Sequence, residues 1–438
     1  MRALPAPAAL LLRLGQLALL GLAVGLACWP LNLLDRWQEL LLALLPASTG
    51  RSWNGLALAL ALAPVLVMPL LLWLQAGPWS GGAGSGIPQT LVCLEKNEHS
   101  DSLLAARPTL QRLGLWSIAT LALLPLGREG PVVQLGAAVA AGLRRRFPGL
   151  LAGLGNRELL AAAGGAGLAA GFNTPLVGVV FMAEELTARF DAALIWPALV
   201  ICEVAALVSN LGGQPEFALG LLRASPGEPL QALLAVPVAI AAGLLGAIFG
   251  RMLLDATRRF TPLARRRPLR TGLLLGALLA LFALVSGGRS GGDGEALMAW
   301  LIQDPGAHQA GALVLMTRLL GPCIVLGASV PGGLIDPALS LGAALGPMVL
   351  GPMVLGPVGL GPVGLAVGMA AALAGATQLP VLSVVFTLRL AGDQQLLPGV
   401  LLAAVLGAYV SRLLMPKPIY HALSEGQQES GYAGTVSP

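Results

Sequence analysis

An all-α protein that crosses a membrane several times is the fold class that the sequence predicts, and composition is the first reason. Of its 438 residues, 56% are hydrophobic and 11% are charged, and the mean hydropathy is +0.80. Soluble domains are typically about 25% charged, so this chain has less than half of the usual solvating charge. Its apolar sequence suffices for about ten crossings at ~20 residues each. A soluble enzyme, a disordered protein and a nucleic-acid-binding protein are therefore excluded.

The high content of glycine and proline is the second reason to predict this fold class. The chain contains 58 glycines and 33 prolines, together about a fifth of its residues. Membrane helices tolerate these residues where neighbouring helices or internal water satisfy the freed backbone groups. The excess predicts helices that break or end inside the membrane.

The apolar runs give the order of the predicted helices. Several runs are too short for a full crossing and begin or end at Gly or Pro, which is typical of the discontinuous helices of transporters. The first run is interrupted by Arg13, so we interpret it as a membrane-associated helix, with a secretory signal as the alternative. The runs fall near 15–28, 55–76, 115–125, 131–143, 158–170, 175–186, 193–211, 230–254, 271–286, 311–330, 338–345, 365–376, 380–390 and 398–415.

Basic residues indicate the topology, because short cytoplasmic loops collect Lys and Arg. Two arginine-rich segments, 258–270 and 144–146, predict cytoplasmic loops, and no nucleic acid is expected as a partner. The four cysteines contain no C-x-x-C pair and the three histidines are dispersed. The sequence therefore predicts no disulfide framework, no metal site and no cofactor.

An internal repeat organises the chain. Residues 131–138 match residues 337–344 at an offset of 206, and residues 175–181 match 380–386 at an offset of 205. We interpret the chain as one transport domain over 1–438, with approximate repeats 55–225 and 230–415; shared apolar composition is the alternative. Transporters built from repeats bind their substrate between the halves, near the bilayer midplane.

Two further segments have predictions of their own. Residues 346–365 carry four prolines at intervals of five, a spacing that breaks regular helix, so they are expected to form a low-complexity Gly/Pro loop. Residues 421–438 are expected to form a cytosolic tail.

Three Gly/Pro clusters each precede an apolar helical run: Gly-Ser-Gly-Ile-Pro at 84–88, Gly-Arg-Glu-Gly-Pro at 127–131 and Gly-Gly-Leu-Ile-Asp-Pro at 332–337. Proline suits the first helical turn, where its missing N–H has no intrahelical partner. Such a helix N-terminus carries about half a positive charge and free N–H donors, which favours an anion. Three such N-termini together would bind an anion without the help of a lysine or arginine. A full positive charge would hold the anion too tightly for transport. Each cluster alone could also be a turn between membrane helices.

These clusters, together with Gly-Phe-Asn-Thr-Pro at 171–175, the pair Glu184–Glu185 and Lys-Pro-Ile-Tyr at 417–420, resemble the CLC family of chloride channels and proton-coupled chloride transporters. The resemblance runs from about residue 80 to Tyr420. It implies a CLC-type fold of two inverted-topology repeats with broken and short tilted helices. It also implies a homodimer with one pore per subunit, located in the cell (inner) membrane, and no enzymatic activity. Few residues follow Tyr420, so a prokaryotic type without paired cytosolic domains is expected.

The resemblance implies the site residues. The hydroxyls of Ser85 and Tyr420 and the backbone amides of Leu334 and Ile335 would hold a chloride. Taken without the family, Ser85 could be a turn hydroxyl and Tyr420 an interfacial anchor. The backbone that lines the anion path would come from Gly84, Gly86, Arg128 and Gly130.

Two acids would carry the protons. A carboxylate at a helix start in so apolar a chain, as at Glu129, is costly unless it has a function. It can occupy an anion site when charged and leave it when protonated, and the resemblance makes it the chloride gate and the external proton acceptor. Glu185 is implied as the internal proton acceptor. A capping role for Glu129, and a helix end emerging into water at Glu185, are the structural alternatives.

The predicted function is exchange of chloride for protons, since most channel-type members lack an acid at the position of Glu185. The alternatives are a passive voltage-gated-type anion channel on the same fold and an unrelated secondary transporter of another anion; Ser85 disfavours fluoride export. The chain departs from the family at Ile335, where Phe is common, at Asp336, where a small apolar residue is usual, and at Arg389, where many relatives have Glu. Asp336 would favour the helix dipole, or repel chloride if it faces the pathway.

Overall fold

The chain is almost entirely helical in the computed structural model, which describes residues 7–96, 100–149, 151, 153–211, 229–303, 311–350 and 361–429. Within these ranges the β-structure consists of one isolated bridge, between Gly127 and Gly333. The predicted all-α class is confirmed.

The first half of the chain contains ten α-helices in its described part. A π-helical turn, Met182–Leu186, continues the ninth. The ten are α1 (Pro7–Leu42), α2 (Pro46–Thr49), α3 (Gly55–Ala76), α4 (Ile87–Glu95), α5 (Ser100–Leu103), α6 (Ala106–Leu121), α7 (Glu129–Arg146), α8 (Asn156–Phe172), α9 (Pro175–Phe181) and α10 (Ala192–Ser209).

The second half follows a similar plan. Its described helices are α11 (Pro229–Arg266), α12 (Pro268–Val285), α13 (Glu295–Gln303), α14 (Ala312–Gly327), α15 (Ile335–Leu350), α16 (Gly361–Thr377), α17 (Pro380–Ala391), α18 (Leu397–Leu414) and α19 (Ile419–Glu429).

Six of the described helices are long and apolar enough to cross a membrane; they are Ala8–Leu42, Gly55–Ala76, Ala192–Ser209, Ala235–Arg266, Pro268–Val285 and Gln394–Gly426. Others are far too short for a crossing, such as α4 with 9 residues and α9 with 7. The helices α4, α7, α9 and α15 begin at Gly- or Pro-containing motifs, and the first turns of α4, α7 and α15 are buried in the protein.

The two halves pack in the same way. Helix α8 contacts α1, α7 and α10, and α16 makes the corresponding contacts with α11, α15 and α18. Small residues allow the close approach: a Cβ on Gly342 would overlap the carbonyl of Gly368, and a Cβ on Gly368 that of Gly342. The halves meet where α3 packs on α12 and α9 on α17.

Two segments differ from expectation. Residues 346–350 complete α15 and residues 361–365 begin α16, so the described ends of the expected Gly/Pro loop are helical; residues 351–360 lie outside the described residues. Helix persists there because Gly346 packs directly on the backbone of Gly364. Similarly, residues 421–429 are not a free tail but part of α19, which packs against α4, α11 and α16. Residues 430–438 lie outside the described part.

Candidate functional site

The three Gly/Pro clusters converge. The backbones of Gly127 and Gly333 exchange two hydrogen bonds of 3.0 and 2.9 Å, which join the second cluster to the third. The first cluster is joined to the third by Ser85, whose Oγ donates to the carbonyl of Gly332 over 2.8 Å. The amide of Gly84 donates to Ser329 over 2.7 Å. Because α4, α7 and α15 all begin at this junction, their N-termini meet at one place.

Glycine is required where the first two clusters touch. Gly86 has a φ of +119°, a conformation that side chains rarely adopt. A Cβ on this residue would overlap the carbonyl of Gly130. This contact explains why the residue before α4, Gly86, and the second residue of α7, Gly130, are both glycines.

Glu129 lies at the centre of the junction. It is fully buried, and its Oε1 accepts a 2.7 Å hydrogen bond from the amide of Asp336, in the first turn of α15. Its Oε2 finds no hydrogen-bond partner among the described residues. The carboxylate fills the space that a Cβ on Gly333 would take. Glu129 starts one helix and its carboxylate bonds to the N-terminus of another, a position that favours an anionic group.

The other residues predicted to hold chloride surround the same junction. Ile335 is the first residue of α15, so its amide has no intrahelical partner. Tyr420 is fully buried, packs edge-on against Phe181 with ring centroids 6.5 Å apart, and has a hydroxyl without a hydrogen-bond partner among the described residues. A buried hydroxyl left unpaired is costly, which favours a ligand at this position.

The side chain of Arg128 turns away from the junction. Its guanidinium forms ion pairs with Asp35 at 2.5 Å and Glu295 at 3.4 Å, and lies 4.6 Å from the ring centroid of Phe172. Oxygens of Asp35, Glu39 and Glu295 lie within 4.8 Å of one another. This cluster was not predicted from the sequence, because Arg128 and Glu295 are far in the chain from the two acids of α1. The acids balance the charge of Arg128, which leaves its backbone as the part that adjoins the anion position.

Asp336 has no capping role. It is fully buried, and both of its carboxylate oxygens lack a hydrogen-bond partner among the described residues. A capping acid would accept from an amide of its own helix, which Asp336 does not. Glu129 and Arg128 are among the charged groups that act on it electrostatically. If ionised, Asp336 would add negative charge beside Glu129, while its place in the first turn of α15 is favoured by the helix dipole.

The two acids of the Glu184–Glu185 pair have different environments. Glu184 accepts hydrogen bonds from the amides of Val381 at 3.0 Å and Leu382 at 2.7 Å, at the start of α17. Glu185 is buried, and its Oε1 has no hydrogen-bond partner among the described residues. Nε2 of His421 lies 3.7 Å from that oxygen. The π-helical turn carries both acids, and it directs one to a helix terminus and the other into the interior.

A cavity of about 740 Å³ leads to the first cluster. It is lined by Gly84 of that cluster, by Ala83 just before it and by Ser329, three residues before the third cluster. Its remaining wall is mainly apolar, with five cationic side chains and one acid, Glu425; the cations are Arg251, Arg258, Arg265, Arg266 and Lys417. The arginine-rich segment predicted as a cytoplasmic loop thus ends α11 and faces this cavity.

The structure brings together most of the predicted site. Glu129 contacts the third cluster, Ser85 bonds to it, and Leu334 and Ile335 belong to it. Glu185 lies apart from the junction, on the side of α19. His421 was not singled out from the sequence; its position directly after Tyr420 was the signal that could have found it. Arg389 lies in the last turn of α17, where the helix dipole favours a cation.

The sequence and the fold both match known proteins. The family model described as voltage gated chloride channel matches residues 65–412. The chain is similar to the voltage-gated ClC-type chloride channel ClcB of Escherichia coli O17:K52:H18 (strain UMN026 / ExPEC), at 29% identity over 301 residues that cover 67% of this chain and 70% of the relative. ClcB of Escherichia coli strain SMS-3-5 / SECEC gives the same identity and coverage.

Two solved structures share the fold. One is a slow cyanobacterial Cl⁻/H⁺ antiporter, with a TM-score of 0.74, 22% identity and coverage of 96% of this chain and 99% of the other. The other is a CLC-type fluoride/proton antiporter, with a TM-score of 0.75 and the same identity and coverage. The family match covers well over half of the sequence, and several apolar helices are long enough to cross a bilayer. The chain is therefore an integral membrane protein that belongs to the voltage gated chloride channel, or CLC, family.

Proposed function

We propose that the protein exchanges chloride for protons across the membrane, with Glu129 as gate and external proton acceptor. One observation carries this proposal. The buried carboxylate of Glu129 is bonded to the amide of Asp336, while its second oxygen lacks a partner among the described residues. A carboxylate held in this way is a tethered substitute for a halide ion at a helix N-terminus.

Protonation and chloride binding at this place exclude each other. When Glu129 takes up a proton, it loses the charge that the helix N-terminus attracts, and the side chain can leave. Chloride then binds to the freed amides. The hydroxyl of Tyr420 assists, and so does that of Ser85 once it turns from the carbonyl of Gly332. Return of the ionised carboxylate expels the chloride, so each proton transfer at Glu129 is linked to a chloride step.

Glu185 supports exchange over passive conduction. A passive channel has no need of a second buried acid, and a carboxyl group in a membrane protein interior is costly without a function. Glu185 is buried and lacks a hydrogen-bond partner among the described residues, whereas the neighbouring Glu184 bonds two amides. We therefore assign the internal proton transfer to Glu185.

The basic cavity supplies the internal entrance for chloride. Its five cationic side chains surround a path toward Gly84, at the first cluster. Clefts lined by one sign of charge raise the local concentration of the counter-ion and accelerate its association. We also propose, from the family, a homodimer with one pore per subunit in the inner membrane, with this cavity on the cytoplasmic side.

Paired flux measurement tests the function. The purified protein is reconstituted in liposomes with a chloride gradient, and chloride and proton movements are recorded together. Exchange predicts proton uptake against its own gradient, driven by chloride. Chloride flow without any proton movement would establish the passive channel instead. An equivalent gradient of fluoride tests fluoride export, and displacement of bound chloride by carboxylates in isothermal titration would favour the transporter of another anion.

A further inference from the structure

Glu185 has one neighbour that reaches solvent. Nε2 of His421 lies 3.7 Å from Oε1 of Glu185, and the two side chains are 40% and 2% exposed. Among the described residues, His421 is the basic side chain that lies within 4 Å of this acid. The imidazole therefore spans the boundary between a buried carboxyl group and the surrounding water.

The start of α19 produces this arrangement. Successive side chains of a helix diverge by about 100°. Tyr420 is directed into the protein, where it is fully buried, and His421 is directed along the surface toward Glu185. The same helical turn thus contributes to the predicted chloride site and to the surroundings of the internal acid.

Other charged groups nearby are already engaged. Glu184 is bonded to the amides of α17 through both of its oxygens. On α19 itself, Glu425 pairs with Lys417 at 2.8 Å. Helix α4 ends at Glu95 and Lys96, which have interactions of their own, and the described part of α16 has no titratable residue. Helix α11 contributes the arginines of the basic cavity, which do not exchange protons near neutral pH.

We propose that His421 is the proton relay between the internal solution and Glu185, an inference that rests on the proposed role of Glu185. The protonated imidazole gives its Nε2 proton to Oε1 of Glu185, which produces a neutral ring and a neutral carboxylic acid. The ring then takes a new proton from water or buffer. A side-chain movement of about 1 Å brings the two atoms within hydrogen-bond distance. Imidazole suits the step because it gains and loses protons near neutral pH.

Chemical rescue tests the relay. His421→Ala and His421→Gln are compared with the unmodified protein in the paired liposome assay, in ordinary buffer and in buffer containing imidazole. Proton flux is expected to fall about tenfold in both variants, a modest loss for a proton-transfer group. Added imidazole is expected to restore it, because the small base reaches the position of the removed ring. Glu203→Gln, which changes an exposed acid on α10 that does not line the basic cavity, serves as the control and should keep its proton flux.

The results of these experiments distinguish failure of the His421 relay from failure of the role assigned to Glu185. Proton flux within twofold of the unmodified value in both variants overturns the relay. A loss that imidazole does not restore also overturns it, since this indicates that the ring has only a structural role. Glu185→Ala separates the relay from the underlying function: it should lose proton flux and remain insensitive to imidazole. If Glu185→Ala still moves protons, the proposed role of Glu185 fails, whatever the histidine variants do.

Discussion

The amide of Asp336 and the carboxylate of Glu129 form a 2.7 Å hydrogen bond that links the second Gly/Pro cluster to the third. The bond explains how an acid can remain at the centre of an apolar protein. It also identifies the position that a chloride would occupy when the acid leaves. The first expected consequences concern this pair.

Removing the acid should separate the two ion movements. In Glu129→Ala we expect chloride to pass while chloride-driven proton movement falls at least about a hundredfold, because the external proton acceptor is gone. The paired liposome assay measures both. Glu129→Gln, which imitates the protonated form, should lose proton movement to the same extent. Chloride-driven proton uptake that persists in Glu129→Ala would contradict the gate assignment.

The same gate can be displaced without changing the acid. In Gly333→Ala, the new Cβ enters the space that the carboxylate of Glu129 fills. We expect the carboxylate to leave its position, so that chloride passes with about tenfold less proton coupling. Gly142→Ala is the control, because nothing lies within 4 Å of a Cβ at that glycine. Unchanged coupling in Gly333→Ala would show that the carboxylate position does not control transport.

Glu184 and Glu185 should respond differently to truncation. Glu184→Ala removes the acceptor of two amides at the start of α17, so we expect a loss of about 1 kcal/mol in stability with proton flux retained. Glu185→Ala should remove proton flux. Thermal unfolding in detergent and the flux assay measure the two effects. Proton flux that disappears in Glu184→Ala but survives in Glu185→Ala would reverse the assignment.

Asp336 should be dispensable for folding. Both of its buried carboxylate oxygens lack a partner among the described residues, so Asp336→Ala removes an unsatisfied polar group. We expect stability to rise by about 1–3 kcal/mol. Chloride should bind more tightly, because a negative charge has left its surroundings. Thermal unfolding and isothermal titration measure these effects.

Ser340→Ala provides the contrast to Asp336→Ala. Its buried hydroxyl, on the same helix, donates to Pro337 over 2.9 Å, so its removal should lower stability by about 1 kcal/mol. Weaker chloride binding in Asp336→Ala would show that this carboxylate supports the site instead of opposing it.

The sequence predicted the parts of the site that local backbone chemistry decides. Helices that begin at Gly/Pro clusters need no knowledge of distant residues, so the starts of α7 and α15 could be inferred. The fully buried position of Glu129 followed from its place between glycines in an apolar chain. The resemblance to the family added which of these positions hold an anion.

Contacts between distant helices could not be predicted in the same way. The ion pair of Arg128 with Asp35 and the approach of His421 to Glu185 depend on how separate helices pack. The spacing of these residues in the chain contains no signal for such contacts. The prediction for residues 346–365 differs from the structure for a related reason. The prolines of this segment predicted a loop, whereas the packing of α15 on α16 keeps its described ends helical.

The bridge between Gly127 and Gly333 has an evolutionary consequence. These glycines are separated by the same offset of 206 that relates the two repeats, so each is the counterpart of the other. Two copies of one half-length chain related by a two-fold axis would form this reciprocal contact. The counterpart of Glu129 at that offset is Ile335. If the two repeats arose by gene duplication, a difference between Glu and Ile at this one position would leave the pair of repeats with a single gate.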